Sequence, residues 1–493
     1  MNIKNRLKLA VKLTVEYLKS GIQKHRDRTL QLPWNFAQLG ILIFPLIPIL
    51  GALGIFLGLV GTTKQKFSQM SRRSVNLGFA VLSVLLIITA VFGRKPLEAF
   101  LGLGNFFPFF ILFAAFSSLI QTPAQLRQLS WILVISSIPV IILGIGQQFL
   151  GWSGIVQLQP VFGWVLEPTG NPPGRMASVF MYANILACYL TIIFILALGL
   201  WIQEGEIEKW REEERGRGMD TNYQLPITNY QFLFLTFAVV GNAVCLIFTN
   251  SRNAWGLAVL AAIVFAVYAG WKKLLTVVFS AVGAVFLSAF GPEPMRQYLR
   301  RIVPAFFWAR LTDEMFPNRP TATLRTTQWE FAWSMTQQRP WTGWGLRNFT
   351  PLYEAQMHEW LGHPHSLILM LTAETGIPAT LCFLGLVGWV LARGVLLLVN
   401  WRSHFPVDLQ QQQMTTQETE KSSILDITNS VICQDPNSGD RLIFFSYLLA
   451  FAACTLFNTV DVTLFDFRVN TISWLLLAAI CGVSQRESVI GNR

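Results

Sequence analysis

Ten apolar runs almost free of charge divide the chain, at residues 75–93, 104–120, 130–150, 177–202, 231–249, 254–271, 274–291, 366–399, 442–459 and 468–484. Each is near or above the ~20 residues that an α-helix needs to cross a hydrocarbon core of ~30 Å. Composition agrees, since 53% of the 493 residues are apolar and 13% are charged, against about 25% charged in soluble domains. The predicted fold class is an all-α polytopic membrane protein.

The net charge of +11 raises nucleic acid as a partner, but its placement points to a membrane topology instead. Lysines and arginines cluster in residues 4–28, in 64–73 (Lys64, Lys66, Arg72, Arg73), in 209–217 and at Lys272 and Lys273. The positive-inside rule puts these segments in the cytoplasm. Counting crossings from Lys273 places 292–365 outside, 400–441 inside, 460–467 outside and the tail 486–493 inside; counting backwards places 62–74 inside. With a basic N-terminus also inside, residues 35–61 cross an even number of times. That run is short for two spans, so Pro45, Pro48 and Gly51 are expected to break it into a tight or partly re-entrant hairpin.

About 12 membrane segments result. The expected organisation is a basic N-terminal segment 1–33, a first membrane bundle 34–291 of about nine segments, an outer loop 292–365, and C-terminal membrane segments 366–485 around an inner loop 400–441. Residues 5–25 repeat apolar positions at helical spacing among lysines, which fits either an amphipathic helix on the inner leaflet or a disordered basic leader. Stretches 203–230 and 403–440 are polar and read as flexible cytoplasmic loops. Residues 1–33 are polar and basic rather than apolar, so no cleavable signal peptide is expected. The cysteines mostly sit in apolar runs and none falls in 292–365, which argues against a disulfide framework.

Segment 292–365 carries eight arginines (Arg296, Arg300, Arg301, Arg310, Arg319, Arg325, Arg339, Arg347) and no lysine. The planar guanidinium binds phosphate and carboxylate bidentately, whereas an ammonium acts as a point charge. The pattern hints at a phosphate-bearing ligand; the alternative is pairing with Glu293, Asp313, Glu314, Glu330, Glu354 and Glu359. Six of the seventeen tryptophans lie in the same segment, as stacking faces for sugars or as anchors at the interface. Two more arginines stand at the outer ends of spans, Arg252 in "TNSRNAWG" and Arg175 in "NPPGRMASVFMYAN". A charge at membrane depth is a functional-site hypothesis, with snorkelling to headgroups as the alternative.

In "GHPHSLILMLTAETGIPAT" (362–380), His365 precedes a run of 34 residues, 366–399. As one helix that run would be ~51 Å long, too long for the core, and Gly376 with Pro378 marks the expected break. His365 and Glu374 are nine residues apart, about 900° of helical rotation, so they face opposite ways. Glu374 is therefore expected to meet a cation from another helix, Arg175 or Arg252. Three histidines crowd "HEWLGHPH" (His358, His363, His365), but their spacing matches no helix-borne i, i+4 metal pattern, and no metal or cofactor is expected.

These residues resemble the O-antigen ligase family of bacterial membrane proteins, with its relatives the O-antigen polymerases and cyanobacterial proteins once described as inorganic-carbon transporters. The family's outer-face motif is similar to His365, Ser366, nine residues, Gly376, two residues and Ala379, where the family has Gly, Thr or Tyr last. Ser251 and Arg252 resemble its Ser-Arg element opening a span. "RTTQWEFAWSMTQQRPWTGWGLRNF" (325–349) resembles its Arg, a Trp four residues on, and a Pro-x-x-Gly-x-Gly turn ending in Phe. "GRMASVFMYANILACYL" (174–190) is similar to its Arg-to-Asn approach to a span.

The resemblance implies a GT-C-like, inverting, metal-independent glycosyltransferase of lipopolysaccharide and related polysaccharide assembly in the bacterial inner membrane. It would take a glycan from an undecaprenyl-diphosphate carrier at the periplasmic face and pass it to a glycan or lipid acceptor. Arg252 and Arg325 would clamp the diphosphate with Arg175 as a third, and His365 would be the general base. Glu374 would hold an arginine or the helix in place, with Ser251, Ser366 and Gly376 in support. Membrane lipids are expected partners and nucleic acid is not. A polymerase differs only in its acceptor, and sequence does not divide the two. A transporter of small anions such as bicarbonate should carry broken or charged helices near the midplane, whereas the suggestive residues gather on one face. A scaffolding membrane protein is the third class.

Overall fold

A computed structural model describes residues 25–154, 162–216, 227–312, 314, 320–401, 438–463 and 465–490. The basic stretch 1–24 and the polar stretch 403–437 lie outside them.

All regular structure among the described residues is helical, as chains must be where lipid offers the backbone no hydrogen bonds. In order these are α1 (Gln31–Ile43), α2 (Pro48–Ser71), α3 (Ser74–Val91), α4 (Pro96–Gly102), α5 (Phe107–Leu119), α6 (Pro123–Leu150), α7 (Ala183–Gly216), α8 (Ile227–Phe248) and α9 (Arg252–Tyr268). Then follow α10 (Lys272–Phe290), α11 (Met295–Ile302), α12 (Ala305–Leu311), α13 (Arg325–Gln338), α14 (Phe349–Met357), α15 (Leu367–Val399), α16 (Ser438–Thr459) and α17 (Phe467–Ile490). Nine helical stretches among the described residues are long and apolar enough to cross a membrane. The chain is an all-α, multi-pass membrane protein.

The expected 12 segments resolve into those nine, the 17-residue α9, and the α1–α2 hairpin. The hairpin forms where Pro45 and Pro48 withdraw backbone donors, and α1, at 13 residues or ~20 Å, is too short to span. Glycines set its seam: a Cβ on Gly40 would stand 2.5 Å from Ile55 N, and one on Gly54 2.7 Å from the Gly40 Cα. Close backbone approach of this kind holds helices together where lipid removes the hydrophobic drive.

α7 and α17 form the centre of the bundle. The membrane stretch of α17 is 94% buried and that of α7 89%, against 11% for α10, whose apolar side chains face outward. One region differs from expectation: residues 177–182 belong to a turn, and α7 begins only at Ala183. Segment 292–365, expected as an outer loop, carries α11 to α14.

The break in α15 occurs at Gly376, whose backbone (φ 76°, ψ 167°) leaves the helix. The freed groups find partners in the Pro-x-x-Gly-x-Gly turn. Trp344 N donates to Ala373 O (2.9 Å), Gly345 N to Glu374 O (2.8 Å), and Ile377 N to Pro340 O (2.7 Å). No side chain fits here: a Cβ on Gly376 would lie 2.5 Å from Trp341 O, and one on Gly343 2.5 Å from Glu374 O. Two motifs separate in sequence are thus the two halves of one joint. Beneath it Phe331, Phe349, Tyr353 and Ala373 form a small second core that fixes α13 and α14 on α15.

Candidate active site

His365 stands immediately before the N-cap of α15, with φ +49° in the left-handed region. Histidine tolerates that region better than most side chains, but a non-glycine there is still held by its surroundings. The turn between α16 and α17 brings Asp461 to it, and His365 Nδ1 lies 3.0 Å from Asp461 Oδ1. The Asp461 side chain is 6% exposed and that of His365 23%, so the pair opens to solvent only on the histidine side.

Asp461 is well anchored. Its Oδ1 also accepts from Val462 N (2.8 Å), and its Oδ2 accepts from Asn184 Nδ2. Asn184 Oδ1 accepts from Arg175 Nη2, and Arg175 Nε donates to Thr249 O (2.8 Å). Burial by itself would raise the Asp461 pKa. The hydrogen bond from His365 and the fields of His365 and His363 outweigh burial and hold it at about 2. An ionised carboxylate only accepts, so it keeps the proton on Nδ1 of His365 and leaves Nε2 with its lone pair. His363 has the opposite bias: burial first, then His365 and Arg325, lower its pKa to about 4. Its Nδ1 accepts the backbone N–H of His365 (3.2 Å), which fixes it as a neutral support.

Three arginines gather around this pair. Arg175 is half-buried, and burial pulls its pKa below the usual guanidinium range; Asp461, Arg325 and Arg252 all act on it electrostatically. Arg252, on the first turn of α9, donates through Nη1 to Arg310 O (2.9 Å). Arg310 in turn donates to Asn250 O (3.1 Å), and Asn250 Nδ2 to Gly174 O (3.2 Å). These bonds latch the Arg175 turn, the corner before α9 and α12 together. Gln147 of α6 holds the same turn from below, its Oε1 accepting from Ala177 N (3.0 Å) and Ser178 N (2.8 Å). Arg325 opens α13, is exposed, and its charge reaches both Arg175 and His363. Five stretches distant in sequence, around Arg175, Arg252, Arg325, His365 and Asp461, therefore meet at one place.

The remaining predicted residues have other positions. Ser251 and Ser366 are buried N-cap residues of α9 and α15, and neither side chain bonds its own helix. Glu374 meets neither Arg175 nor Arg252, contrary to expectation. It faces away from His365, as the nine-residue separation requires, and its Oε1 accepts from Phe349 N (3.0 Å) within reach of the Arg347 charge. Its role is to hold the start of α14 against the joint. Several loop arginines follow the pairing alternative: Arg296 with Glu293 (2.5 Å), Arg300 with Glu314 (3.1 Å) and Arg347 with Glu98 (3.6 Å). Trp344 is structural, its Nε1 donating to Met335 O (2.9 Å) under the Arg339 guanidinium. Trp360 is 70% exposed and lines an open cavity of about 680 Å³ together with Lys95, Glu98, Arg347 and His363.

Asn184 is the asparagine of the Arg-to-Asn stretch 174–190, but Asp461 was not singled out from sequence. The signal for Asp461 was present: an acidic residue in "TVDVTLFDF" between two spans, where a charge is costly without a partner. Together His363, His365 and Asp461 offer three donor atoms within 4.8 Å of one another, a set that suits a divalent transition metal. Here His365 Nδ1 is bonded to Asp461, His363 Nδ1 accepts the His365 backbone N–H, and arginine charge presses on His363.

Residues 237–384 match the sequence profile of the O-antigen ligase family. No curated protein sequence matches the chain. The matched stretch contains Arg252, Arg325 and His365, and its match supports an O-antigen ligase or polymerase type of membrane enzyme.

Proposed function

We propose that this membrane enzyme, whose residues 237–384 form an O-antigen ligase domain, transfers a glycan from a lipid diphosphate carrier to an acceptor hydroxyl in surface polysaccharide assembly. The acceptor proton passes to His365 Nε2, and the acceptor oxygen forms its bond to the anomeric carbon as the bond from that carbon to the carrier diphosphate breaks. The electron pair leaves with the diphosphate. Arg252, Arg325 and Arg175 stabilise the charge that grows there, the kind of preorganised field that carries much of such catalysis. Attack opposite the leaving group inverts the anomeric centre.

The observation that carries this reading is the His365–Asp461 bond set beside three arginines. Asp461 positions the base and does not itself take the proton. The lysine and arginine clusters at 64–73 and at 272–273 put the opposite end of the bundle in the cytoplasm, so the site faces the periplasm of the inner membrane.

The test is complementation of a deletion strain with wild type, His365→Ala or Arg252→Ala, with extraction of carrier-linked glycan. Variants that express, fail to restore polymer and accumulate glycosylated carrier support a transferase, and the length of the trapped glycan separates ligase from polymerase. Normal polymer from His365→Ala would sink the proposal. The clustering of His363, His365 and Asp461 favours one second reading, a divalent cation at these donors. Purified enzyme that loses activity in a chelator and regains it with one added metal would replace the metal-free mechanism.

A further inference from the structure

The end of the bundle away from His365 holds a second site of different chemistry. α15 starts at Leu367 beside His365 and reaches Arg393 ~39 Å further on. α3 runs the other way: Phe92, just past its C-terminal end, accepts from Arg339 next to the joint (3.3 Å), and its first residue, Ser74, lies at the far end. There an open recess of about 970 Å³ lies between the end of α2, the start of α3, α15 and the end of α17.

Among the described residues five cationic side chains line it, Arg26, Lys66, Arg72, Arg73 and Arg393, and no carboxylate does. Two are committed, Lys66 to Asp27 (2.7 Å) and Arg73 to Ser117 Oγ (3.1 Å). Arg26, Arg72 and Arg393 are exposed. So many like charges repel one another unless an anion sits among them. The recess also has an apolar wall, in which Trp389 is 56% exposed beside Val390. Back along α15 toward the middle of the bundle, on the same helix face, that wall continues through Gly385 into Leu381, which is 62% exposed. A soluble anion would use the charges alone. A lipid uses both, its phosphate among the arginines and its chains down the helix face. Tryptophan at such a depth marks the headgroup level.

We infer that this recess binds the phosphate headgroup of an anionic phospholipid of the leaflet at that end. The site is independent of the transferase reading and survives its failure. Basic pockets between membrane helices recognise such headgroups by charge, at about one order of magnitude or less per cation.

The test uses the purified full chain in detergent, with phosphatidylglycerol and phosphatidylcholine of matched chains, read by native mass spectrometry and by melting temperature. Wild type should bind phosphatidylglycerol in preference to phosphatidylcholine and melt higher with it. The double variant Arg72→Gln/Arg393→Gln should bind it about 30-fold more weakly while melting normally without lipid, since both side chains are exposed. Trp389→Ala should weaken the lipid as well. Equal binding of the two lipids, or unchanged binding by the double variant, overturns the inference. Inorganic pyrophosphate that stabilises the chain as strongly as the lipid, unaffected by Trp389→Ala, reassigns the recess to a soluble anion and overturns the lipid.

Discussion

The stretch matched by the ligase profile and the chain that flanks it contribute different things to one site. Residues 237–384 supply Arg252, Arg325 and His365, the groups that would touch donor and acceptor. Arg175, Asn184 and Asp461 come from outside that stretch and are tied to each other by hydrogen bonds. In the proposed mechanism the matched part would carry the reacting groups, and the flanking helices would aim and charge them. A histidine without Asp461 has two interchangeable tautomers, and only one presents its lone pair to the substrate.

If that division is real, the largest loss belongs to the matched part. His365→Ala should lower transfer from a purified lipid-linked donor by about 10³-fold, within the range for a positioned general base. Asp461→Asn tests the flanking part and should cost about 10²-fold, because the amide can donate to the ring and favour the wrong tautomer. Activity near wild type in Asp461→Asn would break the comparison, since the flanking helices would then be scaffolding only. Arg252→Lys and Arg325→Lys should each cost about tenfold, because a point charge replaces a bidentate fork; full activity in both counts against the diphosphate clamp.

Gly376→Ala should act on stability more than on chemistry. A side chain at φ +76° meeting Trp341 O should cost about 2 kcal/mol or more, measured as a lower melting temperature. The smallest effect is on pH dependence. His363 has its pKa lowered to about 4 in the fold, while unfolded chains take up that proton near pH 6.5. The unfolded state therefore binds more protons between those values, and stability falls as pH drops from about 6.5 towards 4. His363→Gln should flatten the melting temperature across that window; an unchanged slope would place the titrating group elsewhere.

Much of the fold was legible because hydropathy is a local signal. Nine of the apolar runs became membrane-length helices, the α1–α2 hairpin followed from Pro45 and Pro48, and the break in α15 from Gly376. The arginines and His365 were legible because charge and imidazole are rare at membrane depth. What could not be read was pairing. Glu374 was expected to seek an arginine guanidinium and instead accepts a backbone N–H from Phe349, a partner that every residue type except proline offers. Asp461 bonds His365 across 96 positions of chain, a contact set by how α15, α16 and α17 meet and by no feature of either local sequence.

The break at Gly376 has a mechanical consequence. A straight rod of 33 residues would swing its tip by about 4 Å for a tilt of about 5°. Membrane helices tilt by more than this as bilayer thickness changes. Because α15 is divided, and its short upper piece is bolted to residues 340–345, the lower shaft can lean with the lipid while His365 keeps its bearing on Asp461. In the proposed mechanism such a division would separate the base from the thickness of the membrane that carries it.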